Sequence, residues 1–340
     1  MVSTPHISFS ASDRSYLAIL KKEIHKMAQQ GGFEAKQLAE IDLIVSEMGS
    51  NLVKHASGGE ILAGIQQTDE GVTLELIGLD SGPGMTDPEK MMLDGASTTQ
   101  TLGHGLGSIR RLSHTFEIYS RKDWGTILLS RVHKKTDGRK AHSIPSTRIN
   151  ALVVAKPGET LSGDGCCYIN AKDDTIHLLV ADGLGHGAEA HRAVKEAVTA
   201  FRAFDSKSPV DILRHLHQSI KKTRGMVATV VIIDPKNKRW RFCGIGNIGM
   251  RFNGLQQSKS YLSYNGIVGH NIPNTLNDQE LSLNDYQQVM LCSDGIRSRW
   301  EHAKHPTIHK YDLSLQAAAI YKEFGRRTDD MSVIIGRALP

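Results

Sequence analysis

Four aspartates in the second half of the chain lie at the boundaries between apolar runs and turns. Asp182 follows the apolar run 176–181, and glycines occupy every second position after it. An Asp-Gly pair alone is an ordinary turn, but strand ends are places where a sheet can bring several carboxylates to one point. The other three aspartates are Asp164 in SGDG, Asp294 in LCSDG and Asp329 in TDDMS.

Carboxylates grouped in this way predict a site for hard divalent cations. Mg²⁺ and Mn²⁺ prefer oxygen ligands, and the set contains no histidine or cysteine that would suit zinc. Two such ions roughly 3.5–4 Å apart can hold a bridging water, lower its pKa and stabilise in-line attack on a phosphoryl group. The pattern therefore indicates metal-assisted hydrolysis of a phosphoester, and the alternative is four unrelated turn residues.

A second group of polar residues lies in the first half of the chain. Glu47, Asn51 and His55 follow one another at four-residue spacing, which places them on one stripe of a helix. By itself this spacing would indicate a solvated polar face. The segments DSGPGM at 80–85 and GHGLG at 103–107 favour a nucleotide pocket instead. Asp80 can accept from an adenine amino group, and glycine-loop N–H groups that open a helix suit phosphates.

The elements that must position these groups differ between the two halves. The first half alternates helices with strands, which predicts an α/β or α+β domain. The second half has many short apolar runs and few helices, which predicts a β-rich core flanked by helices. The predicted helices are 12–30, 34–55, 108–112, 188–204, 209–223 and 313–324. The predicted strands are 60–66, 72–80, 116–120, 126–132, 149–155, 166–170, 176–181, 226–233, 239–245, 248–252, 288–292 and 331–335.

Between the two halves, residues 133–148 are polar, basic and free of periodicity. This is the composition of a linker, so we predict domains at 1–132 and 149–340. The alternative is an exposed loop inside a single domain.

Composition narrows the functional classes. Lys+Arg 41 against Asp+Glu 36 gives a net charge of +5, spread along the chain without a basic stripe, so no nucleic-acid partner is expected. No apolar run approaches the length that spans a bilayer, and the N-terminus lacks a signal-peptide core. The four cysteines form no CxxC pair, and we expect a cytoplasmic protein with no membrane partner.

The ordered motifs GDG, ADGLGHG, SDG and DDMS resemble the metal-dependent serine/threonine phosphatases of the type 2C class, over about 149–338. The resemblance implies an α/β/β/α sandwich with a two-metal centre of Mg²⁺ or Mn²⁺. Asp164, Asp182 and the Gly183 carbonyl would hold that centre, and Asp294 and Asp329 would complete one metal's shell. Asp330 is set aside as a ligand because the family tolerates asparagine there. His186 is a candidate phosphate contact or a structural hydrogen-bonding residue, and Arg148 a candidate phosphate-gripping arginine.

The first half resembles the ATP-binding domain shared by gyrase, Hsp90-type chaperones, histidine kinases and anti-sigma-factor kinases, over about 10–132. The run 95–107 and the text that follows it look most like stressosome-type switch kinases. The resemblance implies a Bergerat-type α/β sandwich that binds ATP with Mg²⁺. Glu47 would be the general base, Asn51 would coordinate Mg²⁺ and Asp80 would recognise adenine. The remaining pocket residues would be Gly82, Gly84, Gly103, Gly105, Gly107 and Thr126.

Together the two resemblances imply an α+β two-domain regulator of a partner-switching pathway. One domain would phosphorylate a serine or threonine on a small STAS-type anti-sigma antagonist protein, and the other would remove such a phosphate. Two alternatives stay open at this point. The first domain could be a nucleotide-dependent binding module without phosphate transfer, or a conformational ATPase, which lacks support because no long transducer domain follows it.

Overall fold

The computed structural model describes residues 4–56, 58–68, 71–88, 105–135, 147–300, 305 and 307–338. The chain divides into two compact units, and each is described by itself below. The first unit comprises His6–Ala141 and His302–Ala319, and the second comprises Met1–Pro5, His142–Glu301 and Ile320–Pro340. Residues 136–146 of the predicted linker lie outside the described residues.

Six helices and fifteen strands are named here among the described residues. The helices are α1 Arg14–Gln30, α2 Ala35–His55, α3 Gly105–Leu112, α4 Ala188–Ala203, α5 Pro209–Ser219 and α6 Leu313–Phe324. The strands of the first unit are β1 Ile7–Ser10, β2 Glu60–Thr68, β3 Gly71–Leu79, β4 Thr115–Arg121 and β5 Gly125–His133. Those of the second unit are β6 Thr147–Val154, β7 Asp164–Asn170, β8 Ile176–Gly183, β9 Met226–Asp234, β10 Arg239–Ile245, β11 Gly249–Asn253, β12 Ser258–Tyr261, β13 Gln279–Ser282, β14 Gln288–Cys292 and β15 Met331–Ala338.

The first unit is a five-stranded antiparallel sheet covered on one face by α1 and α2. The strand order is β1-β2-β3-β5-β4. Helix α1 begins where the Asp13 carboxylate accepts hydrogen bonds from the backbone N–H groups of Ser15 and Tyr16, which would otherwise lack partners. Apolar side chains at helical spacing on both helices pack against those of β2 and β3. This core includes Leu20, Ile24, Ile41, Ile44, Val45, Ile61, Leu74 and Leu76.

A buried ionic network occupies β3 and β5 of the same unit. Glu75, which is 1% exposed, lies 2.6 Å from Arg131 Nε and 3.0 Å from His6 Nε2. Arg131 also donates to both carboxylate oxygens of Asp312, at 2.9 and 2.6 Å, and the Ser314 hydroxyl donates to Glu75 at 2.7 Å. Burial alone would raise the pKa of Glu75, but the Arg131 charge and the His6 contact hold that pKa well below its usual range.

The second unit contains two five-stranded antiparallel sheets. Their orders are β13-β10-β9-β8-β7 and β12-β11-β14-β15-β6. One core joins side chains of the two sheets, and a second lies between the first sheet and helices α4 and α5. Strand β8 contributes Leu178 and Val180 to the former and Leu179 and Ala181 to the latter. Because both faces of β8 are buried, its sequence is a continuous apolar run rather than an alternating one.

Every helix and strand expected from the sequence has a counterpart, but some bounds differ: α5 ends at Ser219 rather than at 223, α3 begins at Gly105 rather than at 108, and β15 continues to Ala338 rather than to 335. Strands β1, β12 and β13 were not predicted. Each has four residues and lies at the edge of its sheet; β1 and β12 are largely exposed, and β13 is mostly half-buried. Strands β12 and β13 carry no apolar alternation, and the alternation of Ile7 and Phe9 in β1 covers only four residues, which is too short a pattern to predict a strand. No helix in the described part of the chain is long and apolar enough to cross a membrane.

Candidate functional site

The β7–β8 hairpin brings the first two predicted aspartates together. Asp164 begins β7, and in the antiparallel register it lies directly opposite Asp182 of β8. Next to this pair the N–H of Gly183 donates to the carbonyl of Gly163 at 3.0 Å. Two carboxylates that are distant in the sequence are therefore neighbours at one end of the sheet, as the strand-end argument predicts.

The other two aspartates lie on neighbouring strands of the second sheet. Asp294 comes two residues after β14, and Asp329 two residues before β15, its hydrogen-bonded neighbour. The two turns are tied together because Ser293 N–H donates to the Ser332 carbonyl and Ser332 N–H donates to the Ser293 hydroxyl, at 3.2 and 3.0 Å. The exposed Asp294 side chain accepts a hydrogen bond from Asn247 at 3.1 Å.

Asp330 links these turns to the loop before β7. Its two carboxylate oxygens accept the backbone N–H groups of Lys156 and Gly163, each at 2.8 Å. Its neighbour Asp329 accepts the N–H of Asp330 at 2.9 Å. Asp330 is therefore a buried positioning residue that holds the Gly163–Asp164 segment in place. Sequence reasoning did not find this role, because the contacts join segments far apart in the chain.

Five carboxylates, those of Asp164, Asp182, Asp294, Asp329 and Asp330, form an acidic cluster, and within the described residues none of them is in an ion pair with a lysine, arginine or histidine. Burial and then the neighbouring carboxylates raise the pKa of Asp182 to about 9. Burial is also the main cause that raises the pKa of Asp164 to about 7, against hydroxyl contacts that lower it. Asp164 Oδ2 is buried and has no hydrogen-bond partner in the protein. A buried, unpartnered carboxylate oxygen is costly unless a cation or a proton compensates it.

The oxygen donors suit a hard divalent cation, although they do not form a complete coordination shell. Within the described ranges, no three His, Cys, Asp or Glu side chains already form a ligand group. The available donors are carboxylate oxygens, which Mg²⁺ and Mn²⁺ accept while keeping several waters. Asp164, Asp182 and the Gly183 carbonyl lie at one sheet end, and Asp294 and Asp329 belong to the facing turns.

The two other residues named from the sequence have different positions. His186 Nδ1 lies 2.9 Å from Glu159 Oε1, so this histidine has a structural partner. Arg148 pairs with Arg337 in the β6–β15 ladder, whereas Val154 at the other end of β6 pairs with Met331 beside the acidic cluster. Six residues of strand separate Arg148 from that end by about 20 Å.

In the first unit, the start of α3 faces the polar stripe of α2. A Cβ placed on Gly105 would lie 3.0 Å from Glu47 Oε2 and 3.5 Å from Asn51 Oδ1. The N–H groups at the start of a helix are free to bind an anion. Gly107 is buried within the same helix, and Gly103 lies outside the described residues. Glu47, Asn51 and the first turn of α3 therefore line one site.

Asp80 organises the adjoining pocket. Its Oδ1 accepts the N–H groups of Gly82 and Thr126 at 2.8 and 3.2 Å. The Thr126 hydroxyl lies 2.9 Å from that of Ser120, which also accepts the Met85 N–H at 2.8 Å. A Cβ at Gly82 would lie 2.8 Å from Ala56 Cα, and one at Gly84 would collide with the Arg121 carbonyl. These glycines allow the chain segments around Asp80 to approach closely.

Gly125 offers a test of this packing. Its φ is +105°, and a Cβ there would collide with the Asp80 carbonyl. We expect Gly125→Ala to destabilise the first unit by about 2 kcal/mol and to weaken binding of the nucleotide that the sequence motifs predict, because Asp80 must move. Calorimetric ATP titration and urea unfolding measure the two effects. Gly158→Ala is the matched control, because Gly158 has φ +92° but nothing within 4 Å of its Cβ position. Equal effects of the two substitutions would contradict the proposed packing.

Two protein families match the chain, one over each domain. Residues 9–131 match the family described as histidine kinase-like ATPase domain. Residues 172–338 match the family described as stage II sporulation protein E (SpoIIE). The two matches lie on either side of the predicted linker and agree with the fold class predicted from the sequence.

Individual relatives show the same division. The serine/threonine-protein kinase RsbT of Bacillus subtilis (strain 168) is 38% identical over 102 residues, which are 29% of this chain and 75% of that kinase. The phosphoserine phosphatase RsbX of the same organism is 30% identical over 96 residues, which are 27% of this chain and 46% of RsbX. The chain thus spans about half the length of RsbX.

A solved structure of the bacterial stressosome, described as a modular system adapted to control secondary messenger signalling, contains a similar chain. The similarity has a TM-score of 0.52 and 28% sequence identity, and it covers 56% of this chain and 99% of the other. By its first domain the chain belongs to the RsbT family of histidine kinase-like ATPase proteins, and its second domain is similar over residues 172–338 to the stage II sporulation protein E (SpoIIE) family.

Proposed function

We propose that this chain is a bifunctional partner-switching regulator. Its second domain removes phosphate from a phosphoserine or phosphothreonine, and its first domain binds ATP and phosphorylates a protein of the same pathway. The observation that carries the phosphatase assignment is the pairing of Asp164 with Asp182. The Oδ2 atom of Asp164 is buried there and has no hydrogen-bond partner among the described residues. The family match over 172–338 supports the same activity.

The phosphatase centre is built from oxygen donors. Asp164, Asp182 and the Gly183 carbonyl would hold the two cations, Mg²⁺ or Mn²⁺, with Asp294 and Asp329 completing one of the shells. When bound, such cations supply a nucleophilic water at neutral pH and positive charge for the phosphoryl oxygens. The protein's own part is to place the carboxylates: Asp330 holds the Gly163–Asp164 segment through two backbone hydrogen bonds.

The nucleotide site uses residues on α2 and at the start of α3. Asn51 would coordinate Mg²⁺ on the ATP phosphates, and Glu47 would take the proton from the accepting hydroxyl. Asp80, Gly82, Gly84 and Thr126 would bind adenine, and Gly103, Gly105 and Gly107 would cover the phosphates. The proximity of Gly105 to Glu47 and Asn51 supports this arrangement, because it brings the helix N-terminus to both side chains.

The substrate we propose is a small STAS-type antagonist protein of a sigma-factor pathway. The relatives named RsbT and RsbX and the stressosome structure support this choice. A cytoplasmic location suits an ATP-using protein whose four cysteines are free and buried. If both activities ran at once, the chain would consume ATP without a net change in the phosphorylation of its substrate. A partner or nucleotide state must therefore favour one of them.

Assays of phosphate transfer in both directions test the proposal. With ATP labelled at the γ-phosphate and a STAS-type protein, we expect label transfer that Glu47→Gln reduces about a hundredfold or more, because a general base is lost. With the phosphorylated protein and Mn²⁺, we expect phosphate release from wild type. Autoradiography and phosphate assay measure the two reactions.

The matched control is Glu23→Gln, which alters an exposed glutamate on α1. It should leave both reactions unchanged. If wild type binds ATP but transfers no label, the first domain is a nucleotide-dependent binding module and the chain is a phosphatase alone. If neither ATP binding nor phosphate release occurs, the proposal is wrong.

A further inference from the structure

The segment before β9 runs beside the loop that follows Asp182. Met226, the first residue of β9, pairs with Gly183 of β8. Arg224 lies two residues before Met226, so it stands next to the Leu184–Gly185 turn. Sequence reasoning did not single out this arginine, because only the β8–β9 pairing brings it to the acidic cluster.

The backbone around Arg224 is fixed by hydrogen bonds on both sides. The Gly225 carbonyl accepts the Leu184 N–H at 3.1 Å, which ties the two loops together. The Arg224 carbonyl lies 2.8 Å from His270 Nε2, and the Gly225 N–H donates to the Thr223 hydroxyl at 3.1 Å. A rigid backbone at this point gives the long arginine side chain a defined origin.

The Arg224 side chain extends over Gly185. A Cβ at Gly185 would lie 3.1 Å from Arg224 Nη1, and this glycine has φ +83°. Glycine at position 185 thus permits the turn and leaves room for the guanidinium. The Arg224 side chain is exposed, and no carboxylate of the described residues forms an ion pair with it.

Arg224 is better placed to bind a phosphoryl group than His186 and Arg148, the two cationic side chains named from the sequence. A phosphate monoester brings negative charge to a site already lined by the acidic cluster, so it needs a cation from the protein as well as bound metal. His186 is paired with Glu159, and Arg148 lies at the far end of β6. Arginine is suited to the role because its planar fork donates two hydrogen bonds to phosphoryl oxygens.

We propose that Arg224 binds the phosphoryl group of the substrate beside the Asp164–Asp182 pair. The inference rests on the proposed phosphatase function and adds to it the residue that orients the phosphate. Glycine at position 185 belongs to the same arrangement, because a side chain there would come close to the Arg224 guanidinium. The ligand chemistry is a phosphate monoester dianion, whichever protein carries it.

The test compares full-length wild type with Arg224→Ala and Arg224→Lys. Inorganic phosphate is titrated calorimetrically in the presence of Mn²⁺, and steady-state hydrolysis of p-nitrophenyl phosphate is measured separately. We expect Arg224→Ala to weaken phosphate binding about tenfold or more and to raise KM similarly, since charge-assisted hydrogen bonds are lost. Arg224→Lys should recover part of both, and Mn²⁺ affinity should stay at the wild-type value.

The matched control is Arg202→Ala, an exposed arginine near the end of α4, about 20 Å along the helix from its start beside this loop. Unchanged phosphate binding and KM in Arg224→Ala would overturn the inference while wild-type hydrolysis still supports a phosphatase. A change seen only with a phosphoprotein would overturn it too, in favour of a docking role. A tenfold effect of Lys156→Ala with none from Arg224→Ala would assign the phosphate contact to Lys156. If wild type hydrolyses nothing, the proposed function fails, and the phosphate titration still decides on Arg224.

Discussion

Replacing Asp182 by asparagine is expected to reduce Mn²⁺-dependent phosphate release by about a thousandfold or more. The substitution keeps the shape of the side chain but removes a charged donor from the centre of the acidic cluster. Mn²⁺ should also lose its stabilising effect on the folded protein, since a ligand that binds only the native state raises its stability. Phosphate release from p-nitrophenyl phosphate and thermal unfolding with and without Mn²⁺ measure the two effects.

In the metal-free protein, the same Asp182→Asn substitution should stabilise the fold. The pKa of Asp182 is raised to about 9 in the folded chain, above the value of about 3.9 for an unfolded aspartate. Its contribution to stability is therefore complete below the unfolded pKa and is lost as the pH rises towards 9. Without divalent cation, Asp182→Asn should be more stable than wild type at pH 8, and the difference should shrink at pH 5.

The matched control for this pair of measurements is Asp174→Asn. Asp174 is exposed at the other end of the β7–β8 hairpin and has φ +65°, a conformation that asparagine adopts readily. Neither activity nor the Mn²⁺ effect should change. Phosphate release at the wild-type rate from Asp182→Asn would exclude Asp182 from the metal centre.

Replacing Arg131, the cation of the buried network, should lower the free energy of unfolding of the first unit more than any other substitution proposed above. In Arg131→Met the Glu75 carboxylate, 1% exposed, keeps its burial but loses its charged partner. An uncompensated buried charge destabilises a fold by about 3–5 kcal/mol. Hydrogen exchange of β3 and β5 amides in the full chain reports the free energy of opening for this unit. The exposed Arg110→Met on α3 is the control and should stay close to wild type.

A second substitution separates lost charge from lost packing. Glu75→Gln combined with Arg131→Met should recover more than half of the loss, because the fully buried charge is then removed, whereas the Asp312 carboxylate is 18% exposed and still accepts the Ser314 N–H. Acid provides a further check. The pKa of Glu75 is held below its usual range, so its stabilisation is complete above the unfolded value of about 4.3 and is lost as the pH falls below it. Glu75→Gln alone should therefore lose less stability than wild type between pH 6 and pH 3. A double variant no more stable than Arg131→Met would contradict this account.

The local pattern of the sequence was sufficient to predict most helices and strands and to name the candidate site residues. Four-residue spacing on α2 and apolar runs such as 176–181 reflect hydrogen bonding and burial within a few residues. The aspartates at strand ends and the glycine segments were therefore recognisable before any fold was known. The short edge strands were not, because a burial pattern over four partly exposed residues is too short to be distinguished.

The tertiary structure decided which of these residues meet. Asp164 faces Asp182 through the register of β7 and β8, and the pairing of β8 with β9 brings Arg224 beside Gly185, three residues after Asp182. Asp330 positions the Gly163–Asp164 segment, and Ser314 reaches Glu75 across 239 positions of the chain.

The physical reason is a difference in range. Helical and strand periodicity arise from neighbouring residues, so the sequence by itself determined which residue types stand at strand ends and on the helix face. Pairings between distant strands depend on the burial and hydrogen bonding of whole sheets, summed against chain entropy. Only the folded sheets therefore decided that Asp330 would accept backbone N–H groups, that Arg148 would lie far from the carboxylates, and that Arg224 would lie beside the Gly185 turn.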